Sequence, residues 1–224
     1  MKNKNSPITF LDDRLIFPPV EMANPEGLLA VGGDLTPERL ILAYRNGIFP
    51  WFNEDSLILW WCPDPRMVLF PSKVRISKSM RNTLNRGHFR ITKDKAFEKV
   101  IHECAKAPRP GQQGTWITQK MIDAYIHLYK KGIAHSYEVW QGDKLVGGLY
   151  GLDLGHIFCG ESMFSKENNA SKCALIHMCR ELEKENYSLI DCQLHTPHLE
   201  SLGAELIPRA DYLSILKGEN KGRI

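Results

Sequence analysis

The sequence predicts an α+β protein in two parts: a small N-terminal α+β part over residues 1–64 and a larger mixed-sheet part over 65–224. Three observations predict it. Apolar residues recur at helical spacing in several segments, and a Gly-Asp turn joins two strand-like runs. Between the parts, WWCPDPRMVLFP breaks the pattern with three prolines and reads as a junction.

In the first part Thr36 is placed to cap a helix, Pro37 to open it, Leu40, Ile41 and Tyr44 to form its buried face, and Gly47 to end it. The second part begins with two amphipathic helices, Lys95–Lys106 (Phe97, Val100, Ile101, Cys104) and Thr118–Lys131 (Met121, Ile122, Tyr125, Leu128, Tyr129). Between them GQQGTWIT is a glycine-flanked loop carrying Trp116. SYEVW and KLVGGLYGL form a hairpin turning at Gly142-Asp143, and HIFCG is a short third strand. A helix over Ala170–Glu185, the strand SLIDCQ and a last helix near Ala210–Lys217 complete the chain. The order strand–strand–strand–helix–strand–helix resembles the acetyltransferase-like (GNAT) core. In that fold the third strand and the strand after the helix splay apart, and chemistry takes place in the gap.

Composition is that of an ordinary soluble protein: 43% apolar and 25% charged residues, with a net charge of +3 over 224 residues. The apolar runs are too short to span a bilayer, and MKNKNSPITFLDDR has no apolar core of a secretory signal. Six cysteines without a CxxC pair read as reduced thiols, so a cytoplasmic location is expected. Lacking an obvious oligomerisation element, the chain is expected to be a monomer with no membrane partner. The positive charge is concentrated between Lys73 and Lys95, where Lys73, Arg75, Lys78, Arg81, Arg86, Arg90, Lys93 and Lys95 meet one acid, Asp94. This segment is either a solvated face or a footprint for nucleic-acid phosphates.

The residue that asks for a function is Glu161, alone in FCGESMF with no Lys or Arg within four positions. A carboxylate there is either exposed or partnered from elsewhere in the chain, since an unpaired buried charge is costly. The GNAT topology puts it just past one splayed strand, opposite Asp191 and Gln193 at the end of the other. Other chemistries fit less well. SKENNASK, where a GNAT enzyme would cradle the pyrophosphate of CoA, has no glycine. Ser162 lacks the closing glycine of a nucleophile elbow, and Cys159 and His156 point to opposite faces of a strand. Cys192, His195 and His198 have no second cluster to complete a zinc site, so no metal is expected. The tryptophans, Trp51 and Trp116 among them, are either core packing or stacking platforms for bases.

Taken in order, GLLAVGGDL, YRNGIFPWF, LWWCPDPRMVLFP, GTWIT, AHSYEVW, LVGGLYG, FCGESMFS, NASK, LIDCQ, HLESLGA and IPRADYL resemble the leucyl/phenylalanyl-tRNA–protein transferases from about Gly27 to Leu213. The resemblance implies a bacterial enzyme that moves Leu or Phe, less often Met, from aminoacyl-tRNA to the α-amine of proteins beginning with Lys or Arg, marking them for degradation. It implies no cofactor: neither ATP, metal nor CoA. By motif position it implies catalytic roles for Asp191, Gln193 and Glu161, and substrate-binding roles for Trp51, Trp116, Leu149, Phe158 and Ser162. Leu149 departs from the Met common in relatives, a change that leaves pocket size little altered. The basic residues Lys73, Arg75, Lys78, Arg81, Arg86 and Arg90 would then grip tRNA phosphates. Glu161 and Asp191 in one cleft would favour a cationic acceptor side chain. Two routes for the amine proton stay open, one through Asp191 and Gln193, the other through the adenosine 2′-hydroxyl.

Overall fold

The computed structural model describes residues 8–108 and 115–218. The glycines of GQQG, Gly111 and Gly114, therefore lie outside the described residues. The first part holds β1 (Thr9–Leu11), β2 (Leu28–Gly32), α1 (Pro37–Arg45), β3 (Phe49–Pro50) and β4 (Leu59–Trp61). Then come β5 (Arg66–Leu69), α2 (Lys78–Asn85), β6 (Arg90–Lys93), α3 (Phe97–Lys106) and α4 (Gln119–Lys130). The hairpin β7 (Ala134–Gln141) and β8 (Lys144–Asp153) leads to β9 (Ile157–Ser165) and α5 (Ala170–Lys184). Last are β10 (Leu189–Gln193), α6 (Pro197–Ser201), β11 (Glu205–Ile207) and α7 (Arg209–Leu216).

The helices begin where their caps are. The Thr36, Ser77 and Thr118 side chains accept hydrogen bonds from the backbone N–H of Arg39, Met80 and Met121, closing the first turns of α1, α2 and α4. A four-stranded sheet runs β1-β2-β4-β3, and a seven-stranded one β11-β5-β10-β9-β8-β7-β6. In the larger sheet only β9 and β10 run parallel. Helices α3 and α4 cover one face with Tyr150, Leu152 and Cys159, in a core that continues to Leu40, Tyr44 and Trp60 of the first part. The α5 helix covers the other face, over Tyr137, Leu149 and Phe158.

The glycines of LVGGLYG serve that packing. A Cβ on Gly151 would come within 2.2 Å of the Cys159 carbonyl oxygen, and one on Gly147 within 2.6 Å of the Ala170 Cβ.

Three differences from the sequence reading matter. The third strand is nine residues long, so Glu161 lies on β9 rather than past it. WWCPDPRMVLFP holds the end of β4 and all of β5, and the chain passes from the smaller sheet to the larger between them. Strands β5, β6 and β11 carry weak local signals: β5 follows two prolines, β6 reads RITK within a basic run, and β11 has three residues.

Candidate active site

Strands β9 and β10 pair over only three positions, Ile157↔Leu189, Phe158↔Ile190 and Cys159↔Asp191. Beyond them the strands part. Each carries an irregularity where they diverge. On β9, Tyr150 faces Ser162 and Gly151 faces Gly160, leaving Glu161 as the extra residue of a bulge. On β10, Val68 faces Asp191 and Met67 faces Gln193, leaving Cys192 as the extra one. A bulge re-aims the side chains beside it. Gln193 also has a left-handed backbone, φ 64°, uncommon outside glycine and found where the surroundings over-determine it.

The gap is a cavity of about 400 Å³. Trp51, Trp116, Leu149, Glu161, Ser162 and Gln193, all named from the sequence, line it. Trp51 stands edge-on to Trp61, with centroids 5.7 Å apart, and its carbonyl accepts the Trp61 indole N–H at 2.7 Å. Met163, Leu175 and Met178 give the cavity a flexible apolar wall that the sequence reading did not single out. Phe158 is not among the lining residues: it precedes the bulge and is buried in the α5-side core, edge-on to Tyr137.

Glu161 is partnered, but not by a cation. Its Oε1 accepts from the Tyr44 hydroxyl at 2.6 Å and the Gln193 side-chain amide at 2.8 Å, and its Oε2 is hydrogen-bonded to the Tyr125 hydroxyl at 2.9 Å. Burial pushes this carboxyl up to about 7, against its three hydrogen-bonding partners, and nearby Asp191 adds to the rise. The sequence pattern marks Tyr44 and Tyr125 only as apolar helix-face residues. A signal was present: a tyrosine in a core stripe needs a partner for its hydroxyl.

Asp191 departs from expectation. It is fully buried, and both oxygens are taken. Oδ1 accepts from Arg66 Nε at 2.7 Å and from the Gln193 backbone N–H at 3.0 Å. Oδ2 accepts from Arg66 Nη2 at 2.7 Å and the Tyr212 hydroxyl at 2.9 Å. The guanidinium lies between the Phe49 and Tyr212 rings, 4.7 Å from each centroid. Asp191 thus contacts the Gln193 backbone, whereas the Gln193 side-chain amide turns to Glu161. The carboxylate pair expected to face a cationic side chain is reduced to Glu161, the one acidic residue among the described lining residues.

Other nucleophiles are unsuited. Burial, with Asp191 adding to it, raises the Cys159 and Cys192 thiols, so neither is a ready thiolate. Burial and then Lys172 lower the lining His198, which favours neutral imidazole. At the start of α5, Ala170 N–H donates to the Glu167 carbonyl and Ser171 N–H to Ser165 Oγ, amides that a pyrophosphate cradle would need. Among the described residues no group of three or more His, Cys, Asp or Glu could hold a metal ion, and no helix is long and apolar enough to cross a membrane.

The six basic residues Lys73, Arg75, Lys78, Arg81, Arg86 and Arg90 are all exposed, on or around α2 and the start of β6. Lys73 pairs with Glu205 at 3.1 Å, Lys93 with Glu181 at 3.0 Å, and Arg90 lies over the Trp140 ring. The segment's acid, Asp94, is engaged by His135 at 2.7 Å.

Residues 68–217 match the family model described as leucyl/phenylalanyl-tRNA protein transferase, and residues 33–64 match that family's N-terminal domain. A leucyl/phenylalanyl-tRNA–protein transferase of Flavobacterium johnsoniae is 60% identical over 94% of this chain and 99% of its own. One from Anaeromyxobacter sp. (strain K) is 53% identical over 94% and 90%. Among solved structures, an aminoglycoside acetyltransferase from a soil metagenome is similar at a TM-score of 0.40, with 10% identity over 62% of this chain and 93% of that one.

Proposed function

The chain belongs to the leucyl/phenylalanyl-tRNA–protein transferase family of enzymes, and from that premise we propose that it transfers Leu or Phe, less often Met, from aminoacyl-tRNA to the α-amine of proteins beginning with Lys or Arg. The product is marked for degradation, and the enzyme acts in the cytoplasm as a monomer. The observation that carries the reading is the opening of β9 from β10 onto an apolar cavity, with Glu161 and Gln193 hydrogen-bonded at its edge.

The reaction asks little of the protein. The donor is an activated ester, and ester to amide runs downhill. An α-amine of ordinary pKa, about 7.7–8.0, is partly neutral at physiological pH and needs no strong base. Holding amine and ester in contact supplies most of the acceleration, with effective molarities of roughly 10⁵ M or more. The Leu149, Met163, Leu175 and Met178 side chains accept the aminoacyl side chain. Trp51 and Trp116 flank the terminal adenosine, with Ser162 beside it. Phe158 acts on the pocket from beneath, by fixing the β9 backbone.

Gln193 orients the attacking amine, its own amide held by Glu161 and its backbone by Asp191. Because Asp191 makes no contact with that amide and is saturated by Arg66 and Tyr212, the adenosine 2′-hydroxyl is the better proton route. Outside the cavity, Lys73, Arg75, Lys78, Arg81, Arg86 and Arg90 hold tRNA phosphates without reading sequence.

Radiolabelled Leu-tRNA with an Arg-initiated acceptor peptide tests this. Label moving into the peptide without CoA or ATP is the expected result. Binding of Leu-tRNA without transfer would leave only a tRNA-binding module, and transfer that requires acyl-CoA would make the protein an ordinary GNAT acyltransferase.

A further inference from the structure

Three oxygen contacts close a ring around Glu161. Tyr44 and Tyr125 hydroxyls are 2.5 Å apart, Tyr44 lies 2.6 Å from Oε1, and Tyr125 lies 2.9 Å from Oε2. Each contact needs one hydrogen, and each phenol brings one. With an ionised carboxylate, two hydrogens serve three contacts, and one pair of oxygens meets lone pair to lone pair in a site where both phenols are buried. A third hydrogen removes that clash, and the carboxyl is its natural source, since both phenols are raised well above their ordinary range by burial and by Glu161. The donor pattern also says which oxygen carries it. Oε1 accepts from both Tyr44 and the Gln193 amide, as a carbonyl oxygen does. Oε2 is then the hydroxyl: it donates to Tyr125, Tyr125 donates to Tyr44, and Tyr44 donates back to Oε1.

We propose that Glu161 rests as a neutral carboxylic acid whose proton closes a ring with Tyr44 and Tyr125, and that a basic acceptor side chain must draw this proton off, so that selection of basic N-termini is coupled to proton release. The groups facing the ring agree. Tyr44 comes from α1, Tyr125 from α4, and Gln193 from β10; Tyr150 of β8 stands edge-on to Tyr125 at 5.6 Å. The charged neighbours are Asp191 and Arg66, which are paired with each other, with Tyr212 of α7 also bonded to Asp191. No cation contacts Glu161 among the described residues. A Lys or Arg side chain entering the cavity would be its first, and an opposite charge within a few ångströms favours the ionised form. Tyr44 and Tyr125 are positioning residues in this scheme, acting through Glu161.

The selectivity half rests on the aminoacyl-transfer reading; the protonation half does not. The full chain, labelled with ¹³C-glutamate and without ligand, is titrated by NMR, and the Glu161 carboxyl signal is identified by its loss in Glu161→Gln. At about pH 6 the signal is expected at the acid position, where an ordinary exposed glutamate is already ionised. A carboxylate position at that pH overturns the ring. Transfer to Arg- and Ala-initiated peptides is then compared at about pH 6 and about pH 8. The α-amine ionises in both peptides, so its titration cancels in the ratio. The Arg/Ala ratio is expected to rise roughly five-fold with pH in the native protein and to stay flat in Glu161→Gln, whose amide keeps the ring but cannot ionise. A flat ratio in the native protein overturns the coupling. No transfer to either peptide overturns the functional reading and leaves the titration to decide the ring.

Discussion

Asp191, buried, and Glu161, half-buried at the cavity, sit on neighbouring strands and both receive tyrosine hydroxyls, yet their surroundings treat charge in opposite ways. Asp191 has a guanidinium clamped to both oxygens, and the whole assembly is buried. Glu161 has only neutral hydrogen-bonding partners. Desolvation acts on both, but only the first has a cation to answer it. Identical functional groups a strand apart thus take different work: one carboxylate is a fixed charge that shapes the β10 bulge, and the other holds a proton that the neutral pH range can remove.

Breaking the charged side should cost most. Arg66→Met leaves Asp191 buried without its cation and should lower stability by about 3–5 kcal/mol. Denaturant unfolding measures it, and a loss under about 1 kcal/mol would mean that Asp191 is not the fixed anion described.

The neutral side should respond in the opposite sense. The Glu161 pKa in the folded protein is about 7, above its ordinary 4.5. The folded state therefore holds its proton more tightly than the unfolded one, and stability falls as pH rises from the ordinary value to about 7. Glu161→Gln removes that dependence. It should be more stable than the native protein by roughly 2 kcal/mol at about pH 8, with the difference fading toward about pH 5. An equal difference at both pH values would contradict the assignment.

Charge that never leaves water extends the contrast. Arg81→Glu with Arg86→Glu should leave thermal stability nearly unchanged but raise the KM for Leu-tRNA about ten-fold and reduce the salt slope by about 2. An aminoacyl-adenosine fragment, which lacks those phosphates, should react as before. If the fragment is equally affected, α2 does more than hold phosphate.

The smallest effect belongs to the partly buried pair of Asp94 and His135. The hydrogen bond to Asp94 raises His135, with burial opposing, while the same bond helps lower Asp94. A raised histidine stabilises below its unfolded value of about 6.5, and that contribution is lost as pH rises through its folded value. His135→Gln should cost up to about 1 kcal/mol at about pH 6 and less at about pH 8. A larger cost at the higher pH would reverse the sign.

What the sequence discloses here follows periodicity and chemistry. Helix α1 with its Thr36 cap, helices α3 to α5, and the turn at Gly142 are readable because each is written in local pattern. Strands β6 and β11 are not, since sheet neighbours rather than their own residues stabilise them. Glu161 was conspicuous for lacking a local cation, but Tyr44 and Tyr125 lie 117 and 36 residues away from it in the chain. The bulges at Glu161 and Cys192 shift registers that strict alternation assumes, and Phe158, given to the pocket by the family resemblance, precedes the β9 bulge and packs behind it. The strand end of Asp191 leads to the cleft, but Arg66, Tyr212 and the Gln193 backbone N–H hold its carboxylate inward.

The short crossing from β4 to β5 has a practical corollary. Tyr44, Phe49 and Trp51 precede it, yet they complete the acid ring, the Arg66 sandwich and one cavity wall that the later residues begin. A fragment starting after Pro65 would keep Glu161, Gln193 and the basic helix, but with the acid opened to solvent and the guanidinium stripped of one aromatic cover. Cutting the chain there should abolish turnover, because neither piece holds a whole site.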